Sequence, residues 1–505
     1  MTTRHPLRLL FVGLFLGWAF DLLFWGKTPG VSVFIYSVLL LSGLFLALHW
    51  QQARAMTVNL WMPALMLVFA LLAVVRANGF LVFLDILAIV MLLALISNNL
   101  VRRSTWRQRV RDLLLDPVKS MVYALMGSSY IVRESRRVTS EDMEEKSASH
   151  LPAVLVGLLI SLPLLLVLVP LLMSADLIFA KLVNDIFIWD KMLEWSVRIV
   201  FMILIGLLAG GALLYSSQKQ SPDPDLFSAP SRETPSASPS SFSHLGPIET
   251  LLPINLINLL FLVFVAIQIP YLFGGELNIG EHSFTYAEYA RRGFTELVFV
   301  ALFIFGVILI LRKLSLLETP RAKRAFNLSA SLLLLLTLVL LISAFKRLAL
   351  YESVYGFTTT RIYPHVFMVW LGLLLIWFII TLWLAPGRLA IGILAASFGF
   401  ILTLNLLNPD AFVVHQNVAR HRGFGDIAIS LDGSAIDAYY FRMLSEDAVP
   451  ALLAELPHMG GVGILVEKDL ENRYHRMARD ATWRRWQSWN YSRWRAYRLL
   501  QTHFD

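Results

Sequence analysis

A cluster of polar side chains follows directly after a strongly apolar run near residue 405, in the stretch NLLNPDAFVVHQNVARHRG. It contains Asp410, Asn417 and Arg420, which offer a carboxylate, an amide and a guanidinium. A guanidinium presents a planar fork of donors that suits a phosphate or a carboxylate. These residue types predict an anionic envelope or lipid ligand.

Two further stretches have the same character, TYAEYARRGFTE at 285–296 and KRLALYESVYGFTTTRIY at 346–363. Each lies at the predicted end of an apolar helix, so the three stretches are expected to meet on one side of a membrane. The candidate ligand-binding residues are Glu288, Arg291, Glu296, Arg347, Tyr351, Arg361, Asp410, Asn417 and Arg420. The alternative is that these charges pair with one another and pin the helix ends together, which requires no ligand.

Two acidic residues, Asp21 and Asp85, fall within apolar runs. Ionisable groups at membrane depth are costly and usually face protein or a water-filled cavity. Together with Glu296 they define a second hypothesis, a transporter or ion-coupled carrier. A third hypothesis is a membrane enzyme acting on a lipid-linked or envelope substrate, in which Glu288 or Glu296 serves as general base and the arginines hold an anionic head group.

Specific catalytic motifs are absent from the sequence. No HExxH, GxSxG or Walker pattern occurs, so no catalytic residue, metal or cofactor is predicted. His415 and His421 would point to different sides of a helix, which argues against a metal pair. The absence of cysteine excludes disulfides, thiolate metal sites and a cysteine nucleophile.

The composition indicates a membrane protein. Of 505 residues, 57% are hydrophobic and only 15% are charged, against about 25% charged residues in a typical soluble domain. The formal net charge is +8, but most Lys and Arg residues flank apolar runs. Membrane topology explains that placement, so the expected partner is a lipid bilayer and not a nucleic acid.

Eleven apolar runs approach the roughly 20 residues that a spanning helix needs. They are 7–25, 31–49, 59–75, 80–97, 151–173, 194–215, 252–272, 294–311, 328–345, 364–384 and 388–407. The predicted fold class is an all-α polytopic membrane protein with about eleven transmembrane helices and a small, mainly helical C-terminal domain.

Four segments follow from these runs. Residues 1–215 form a first membrane half of about six helices, and 250–407 a second half of about five. Residues 216–249, rich in Ser and Pro, form a disordered cytoplasmic linker, and 408–505 form the C-terminal domain. In that domain we expect helices at 410–421 and 446–456, a turn and strand in MGGVGILV, and a Trp- and Arg-rich final helix.

The distribution of basic residues predicts the orientation. Arg4, Arg8 and Arg54, the stretch RRSTWRQRVR at 102–111 and the basic loop 312–324 fall on one side of the predicted topology. Basic loops favour the cytoplasmic side, so the N-terminus is expected inside. An odd number of crossings then places the C-terminal domain outside the cytoplasm.

The polar stretches also carry a family resemblance. TYAEYARRGFTELV at 285–298, RLALYESVYGFTTTRIYPHVFMVWL at 347–371 and NPDAFVVHQNVAR at 408–420 resemble a bacterial multi-pass membrane family, domain of unknown function 4173, close to 4153. The resemblance covers about residues 250–500, with SEDAVPALLAEL and WNYSRWRAYRLL also fitting. It implies a polytopic bacterial membrane protein and no particular substrate or cofactor. The leading functional hypothesis is an integral protein of the bacterial cytoplasmic membrane with a polar outward-facing site, which serves envelope sensing, scaffolding or assembly.

Overall fold

The computed structural model describes residues 6–53, 57–100, 189–217, 247–273, 294–315, 319–385, 387–424, 437–480 and 482–505. Within these ranges the chain is helical, with short connecting turns. The α-helices are α1 Pro6–Phe24, α2 Val31–Trp50, α3 Trp61–Val75, α4 Gly79–Asn99, α5 Trp189–Ser217, α6 Pro247–Phe273, α7 Phe294–Leu314, α8 Pro320–Tyr355, α9 Thr359–Trp383, α10 Leu389–Leu407, α11 Pro409–Phe424, α12 Ala438–Met443, α13 Val449–Glu455, α14 Val462–Arg479 and α15 Tyr491–Phe504.

Seven of these helices are long and apolar enough to cross a membrane: α1, α2, α4, α7, α8, α9 and α10. Three more of the predicted spans correspond to shorter apolar helices, Trp61–Val75, Val197–Leu213 and Thr250–Ala266. The predicted span 151–173 lies outside the described residues. The all-helical membrane fold is confirmed, whereas the count of about eleven spans stays a prediction.

Large apolar side chains cover the outside of the bundle. On α7, for example, Phe299 and Phe303 are each about two-thirds exposed, at 66% and 68%. In water such a surface would drive aggregation, whereas in a bilayer it contacts lipid chains. The low charged fraction of the sequence therefore reflects the lipid-facing surface.

The described helices pack into three hydrophobic cores. The first core joins α1 to α5 with α10, where Phe69 and Phe398 meet with ring centroids 5.7 Å apart. The second joins α6 to α9. The third is formed by α11 to α15 with Ile362 of α9. Helix α10 follows α9 in the chain yet also packs on α4, so it connects the first core with the second.

Contacts between helix ends define the two faces of the bundle. On one face Arg8 lies 5.8 Å from the Trp50 ring, and the Asn59 amide donates to the Asn99 carbonyl at 2.7 Å. The other face carries the turns 25–30, 76–78 and 356–358, and α11 to α15 pack against it. We call this end the docking face and the helices α11 to α15 the C-terminal domain.

The C-terminal domain differs from the sequence prediction in one element. The expected helix at 410–421 is α11, and the expected helix at 446–456 becomes a 3₁₀ turn, Glu446–Ala448, followed by α13. The strand predicted in MGGVGILV is wrong, because Gly460 and Gly461 form a turn and α14 starts at Val462. The apolar residues of that stretch repeat at helical spacing, with Val466 and Leu470 buried.

Candidate functional site

A network of buried polar groups joins the docking face to the C-terminal domain. Asp447, 3% exposed, accepts hydrogen bonds from the backbone N–H groups of Ala77 (2.9 Å) and Asn78 (2.8 Å) in the turn between α3 and α4. Asn78 also caps α4, because its side-chain oxygen accepts from Phe80 N and Leu81 N. One residue therefore both starts a spanning helix and holds the domain.

Asp410 completes this network from α11. Its two carboxylate oxygens accept from the Asn78 side-chain amide at 3.0 and 3.1 Å. It also accepts from Ser445 N at 3.0 Å and from the Ser445 hydroxyl. Asp410 is 1% exposed, so its hydrogen bonds are made within the protein. This carboxylate is placed to hold elements together.

A backbone contact adds to the network beside the turn between α1 and α2. Val31 N donates to the Trp489 carbonyl at 2.8 Å, and a Cβ on Gly30 would lie 2.5 Å from that same oxygen. The Asn490 side chain donates to the Arg76 carbonyl at 2.8 Å. Asn78, Asp410, Ser445, Asp447 and Asn490 together form what we call the polar junction.

A smaller buried group lies on the membrane side of the junction. The Asn405 amide donates to Asp85 Oδ1 at 2.8 Å, and Arg76 donates to the Asn405 carbonyl. Asp85 Oδ2, Asn405 Oδ1 and Arg76 Nε have no hydrogen-bond partner among the described residues. An internal water molecule could donate to the two acceptors and accept from the one donor, and would so satisfy all three atoms.

The turn between α8 and α9 carries a second polar cluster. Asn417 of α11 holds this turn from both sides, since its Oδ1 accepts from Phe357 N at 2.8 Å and its Nδ2 donates to Phe357 O at 2.9 Å. Gly356 has a φ of 78°, and a Cβ there would lie 2.8 Å from both Asn417 and Arg420. The close approach of α11 therefore requires glycine.

Two guanidinium groups face each other across this turn. Arg361 lies over the Tyr351 ring at 4.2 Å and donates to the Tyr355 carbonyl at 3.2 Å. Burial and, secondarily, the Arg361 charge lower the pKa of Arg420. Tyr351, Arg361, Asn417 and Arg420 are thus brought together, as the sequence predicts. Their binding of a ligand stays a prediction.

The remaining predicted residues lie elsewhere. Glu288 and Arg291 fall outside the described residues, and Glu296 lies in the first turn of α7. Arg347 is one helical turn before Tyr351 on α8. Asp21 is not a free intramembrane acid, because Arg198 of α5 binds it through two hydrogen bonds of 3.0 and 2.6 Å.

Four junction residues were not candidates from the sequence: Asn78, Ser445, Asp447 and Asn490. Asn78 carries a usable signal, since asparagine directly before a long apolar run is a helix N-cap. Asp447 and Asn490 stand in polar segments and show no such pattern. No group of three or more His, Asp or Glu side chains in the described ranges is arranged to hold a metal ion.

An arginine-rich pocket of about 720 Å³ opens at the edge of the C-terminal domain. It lies between the end of α14, the start of α15 and Thr28 of the turn between α1 and α2. None of its arginines was a candidate from the sequence. Their spacing at 473, 476 and 479 on one helix was the available signal.

A family model described as a domain of unknown function (DUF4153) matches residues 63–455. This match confirms the resemblance that the motifs indicate and extends it into the first membrane half. No curated protein and no solved structure matches the chain.

Proposed function

From the premise that the chain belongs to the family described as domain of unknown function DUF4153, we propose that it is a membrane scaffold. In this proposal the bundle holds the C-terminal domain rigidly against one face of the bacterial cytoplasmic membrane, where the domain serves envelope sensing or assembly. The observation that carries the proposal is the polar junction, in which buried carboxylates bind the turns between membrane helices.

The hydrogen bonding of the junction supports a holding role. Asp410 and Asp447 are occupied by backbone and side-chain donors from other elements. A catalytic carboxylate needs access to a substrate proton, and both groups are buried. The same argument favours a scaffold over an enzyme that would use these two acids.

The orientation of the scaffold rests on the helix directions. We count α6 to α10 as five crossings between the linker and the C-terminal domain, which supports assigning these two segments to opposite sides. Helix α4 ends at the face opposite the docking face, and α5 begins near the docking face, which accords with a further span at 151–173. With basic loops inside, we place the C-terminal domain outside the cytoplasm.

Removing the Asp447 side chain tests the proposal. Asp447→Ala leaves two buried N–H groups unpaired, at a cost of about 1–3 kcal/mol each. We expect trypsin to cleave the C-terminal domain at least about tenfold faster in proteoliposomes, since a loss of 1.4 kcal/mol is a tenfold change in docking equilibrium.

Glu471→Ala is the matched control, because Glu471 is an exposed carboxylate on α14 whose only ion pair among the described residues is with His475 at 3.9 Å. Its cleavage rate should equal that of the wild type. If Asp447→Ala and Glu471→Ala are cleaved at the same rate, the junction does not hold the domain and the scaffold proposal fails.

A further inference from the structure

The arginine-rich pocket is lined by Arg442, Arg473, Arg476, Arg479 and Arg493, against the carboxylates Glu446 and Asp480. Asp469, behind Arg473, adds a third carboxylate. The local charge of the pocket is therefore positive. None of the residues that line the pocket belongs to the polar junction.

The arginines of the pocket divide into two groups by their hydrogen bonds. Arg473 is buried and fully engaged, since it donates to Asp469 at 2.8 Å and to the carbonyls of Leu444, Phe441 and Arg442 at 2.7–2.9 Å. It builds the floor of the pocket. The side chains of Arg476 and Arg479 are exposed and make no hydrogen bond or ion pair within the described residues.

The positions of Arg476 and Arg479 make them a pair. Three residues apart on a helix, they share one face, and both border the pocket. Their place in the last turn of α14 is favourable for cations, because the helix dipole is negative there. A planar guanidinium fork is suited to bidentate hydrogen bonds with phosphate oxygens.

The pocket lies beside the turn between α1 and α2, two helices that are long and apolar enough to cross a membrane. Thr28, in the turn between two spanning helices, lines it and accepts a hydrogen bond from Arg493 at 3.2 Å. Arg485 contacts the Gly26 carbonyl at 3.4 Å. Trp486 and Trp489 on the same segment are 55% and 39% exposed, as expected for aromatic residues at a lipid–water interface.

From these observations we propose that the arginine-rich pocket binds a phosphate group at the membrane surface, with Arg476 and Arg479 as the principal ligands. The phosphate belongs to an anionic lipid head group or to a soluble phosphate ester. A volume of about 720 Å³ accommodates a whole head group, since ligand sites commonly measure about 300–1,000 Å³.

The test uses the full chain in zwitterionic detergent, with binding followed by calorimetric titration. The probes are dihexanoyl phosphatidic acid, dihexanoyl phosphatidylcholine, glycerol 3-phosphate and inorganic phosphate. We expect saturable binding of the phosphatidic acid. If the soluble phosphates compete at equal concentration, the source is a soluble ester; if they compete only in large excess, it is a lipid. Either result supports the phosphate site.

Two double variants test whether the phosphate probe binds in the arginine-rich pocket. Arg476→Gln with Arg479→Gln should weaken binding by at least about a hundredfold, because the variant loses two hydrogen bonds between charged groups. Arg495→Gln with Arg498→Gln removes two exposed arginines with the same spacing on α15, outside the pocket, and should leave the affinity unchanged.

Equal weakening in both double variants, or no saturable binding of any phosphate probe, overturns the proposal. All variants should keep the wild-type melting temperature without ligand. Should the glutamine pair unfold, Arg476→Lys with Arg479→Lys keeps the charge and removes the planar fork. A Lys pair that binds as tightly as the wild type would also contradict the bidentate assignment.

Discussion

Asp447 is a carboxylate whose protonation depends on its surroundings in the folded protein. Burial is the largest effect and raises the pKa of Asp447 above the ordinary 3.8, and the Asp410 charge acts in the same direction. Hydrogen bonds from Ser492 and Asn78 and the Arg76 charge oppose this increase. The folded protein therefore binds this proton more tightly than the unfolded chain does.

That difference predicts a pH dependence of stability. Protonated Asp447 adds to the free energy of unfolding at low pH, and this addition is lost as the pH rises from 3.8 through the raised pKa. Asp447→Asn cannot titrate, so the unfolding free energy of the wild type relative to this variant should fall over that window and then become constant. Denaturant unfolding in micelles at fixed ionic strength measures it.

Asp480→Asn is the control of opposite sign. Hydrogen bonds from Thr482 lower the pKa of Asp480, so the wild type should gain stability over this variant as the pH rises through the lowered pKa. A rising difference for Asp447→Asn as well would show that its hydrogen bonds outweigh burial.

Residue types predict part of the candidate site. The rest could not be predicted, because its residues are paired with partners that are far away in the sequence. Asp410, Asn417 and Arg361 stand next to apolar runs, so the sequence alone indicates that they are unusual. The partner of Asp447 is Asn78, more than 300 residues earlier in the chain. No local pattern links two such residues, because their pairing depends on how the helices pack.

The contact between helices α1 and α5 shows that the sequence alone does not predict which helices pack together. Their contact is built on Gly13 and Gly17 of α1 and Gly206 and Gly210 of α5. Each pair forms a G-x-x-x-G pattern, which allows membrane helices to approach closely. The patterns are visible in the sequence, but only the structure shows that they face each other. The Asp21–Arg198 ion pair lies along the same interface and fixes its register.

The glycine contact predicts a large effect for a very small substitution. A Cβ on Gly17 would lie 1.9 Å from the Met202 carbonyl oxygen, so Gly17→Ala should separate the two helices. We expect a destabilisation of about 1–3 kcal/mol, as for other overpacked contacts, measured as a lower melting temperature in detergent.

Gly306→Ala on α7 is the matched control. Nothing lies within 4 Å of a Cβ at Gly306, so alanine should be neutral there or stabilising by up to about 1 kcal/mol through its higher helix propensity. If the two variants melt at the same temperature, α1 and α5 are not in close contact.

Length and apolarity predict the long helices well, and they also predict the shorter ones as helices, but they do not establish that the shorter ones span a membrane. Runs such as 31–49 and 80–97 appear as α2 and α4, because nearly every residue is apolar. Helix α3 has only 15 residues and is buried in the first core by neighbours. Whether α3 spans a membrane depends on how it packs against its neighbours, and the number of apolar residues does not show that packing.

At the scale of the whole molecule, the arrangement of helices predicts two accessible sides. The chain contains no cysteine, so single cysteines report accessibility without background. We expect Asp505→Cys to react with an impermeant maleimide on intact spheroplasts. Ser236→Cys in the linker should react only after permeabilisation.

Reaction of both cysteines from the same side would contradict five crossings between the linker and the C-terminal domain. It would also move the arginine-rich pocket to the cytoplasmic surface if both remain protected until permeabilisation. The phosphate proposal would then concern an inner-leaflet ligand, while the polar junction would be unaffected.

The contact between Val31 and Trp489 has a consequence for biogenesis. The two residues are separated by most of the polypeptide, so the turn between α1 and α2 stays uncovered until residue 489 has been synthesised. Bringing together such distant residues is slow, and exposed intermediates favour misassembly. The docking of residues 488–490 therefore covers a turn that is made early in synthesis, and a protease that surveys unassembled membrane proteins would find its target in that turn while it is uncovered.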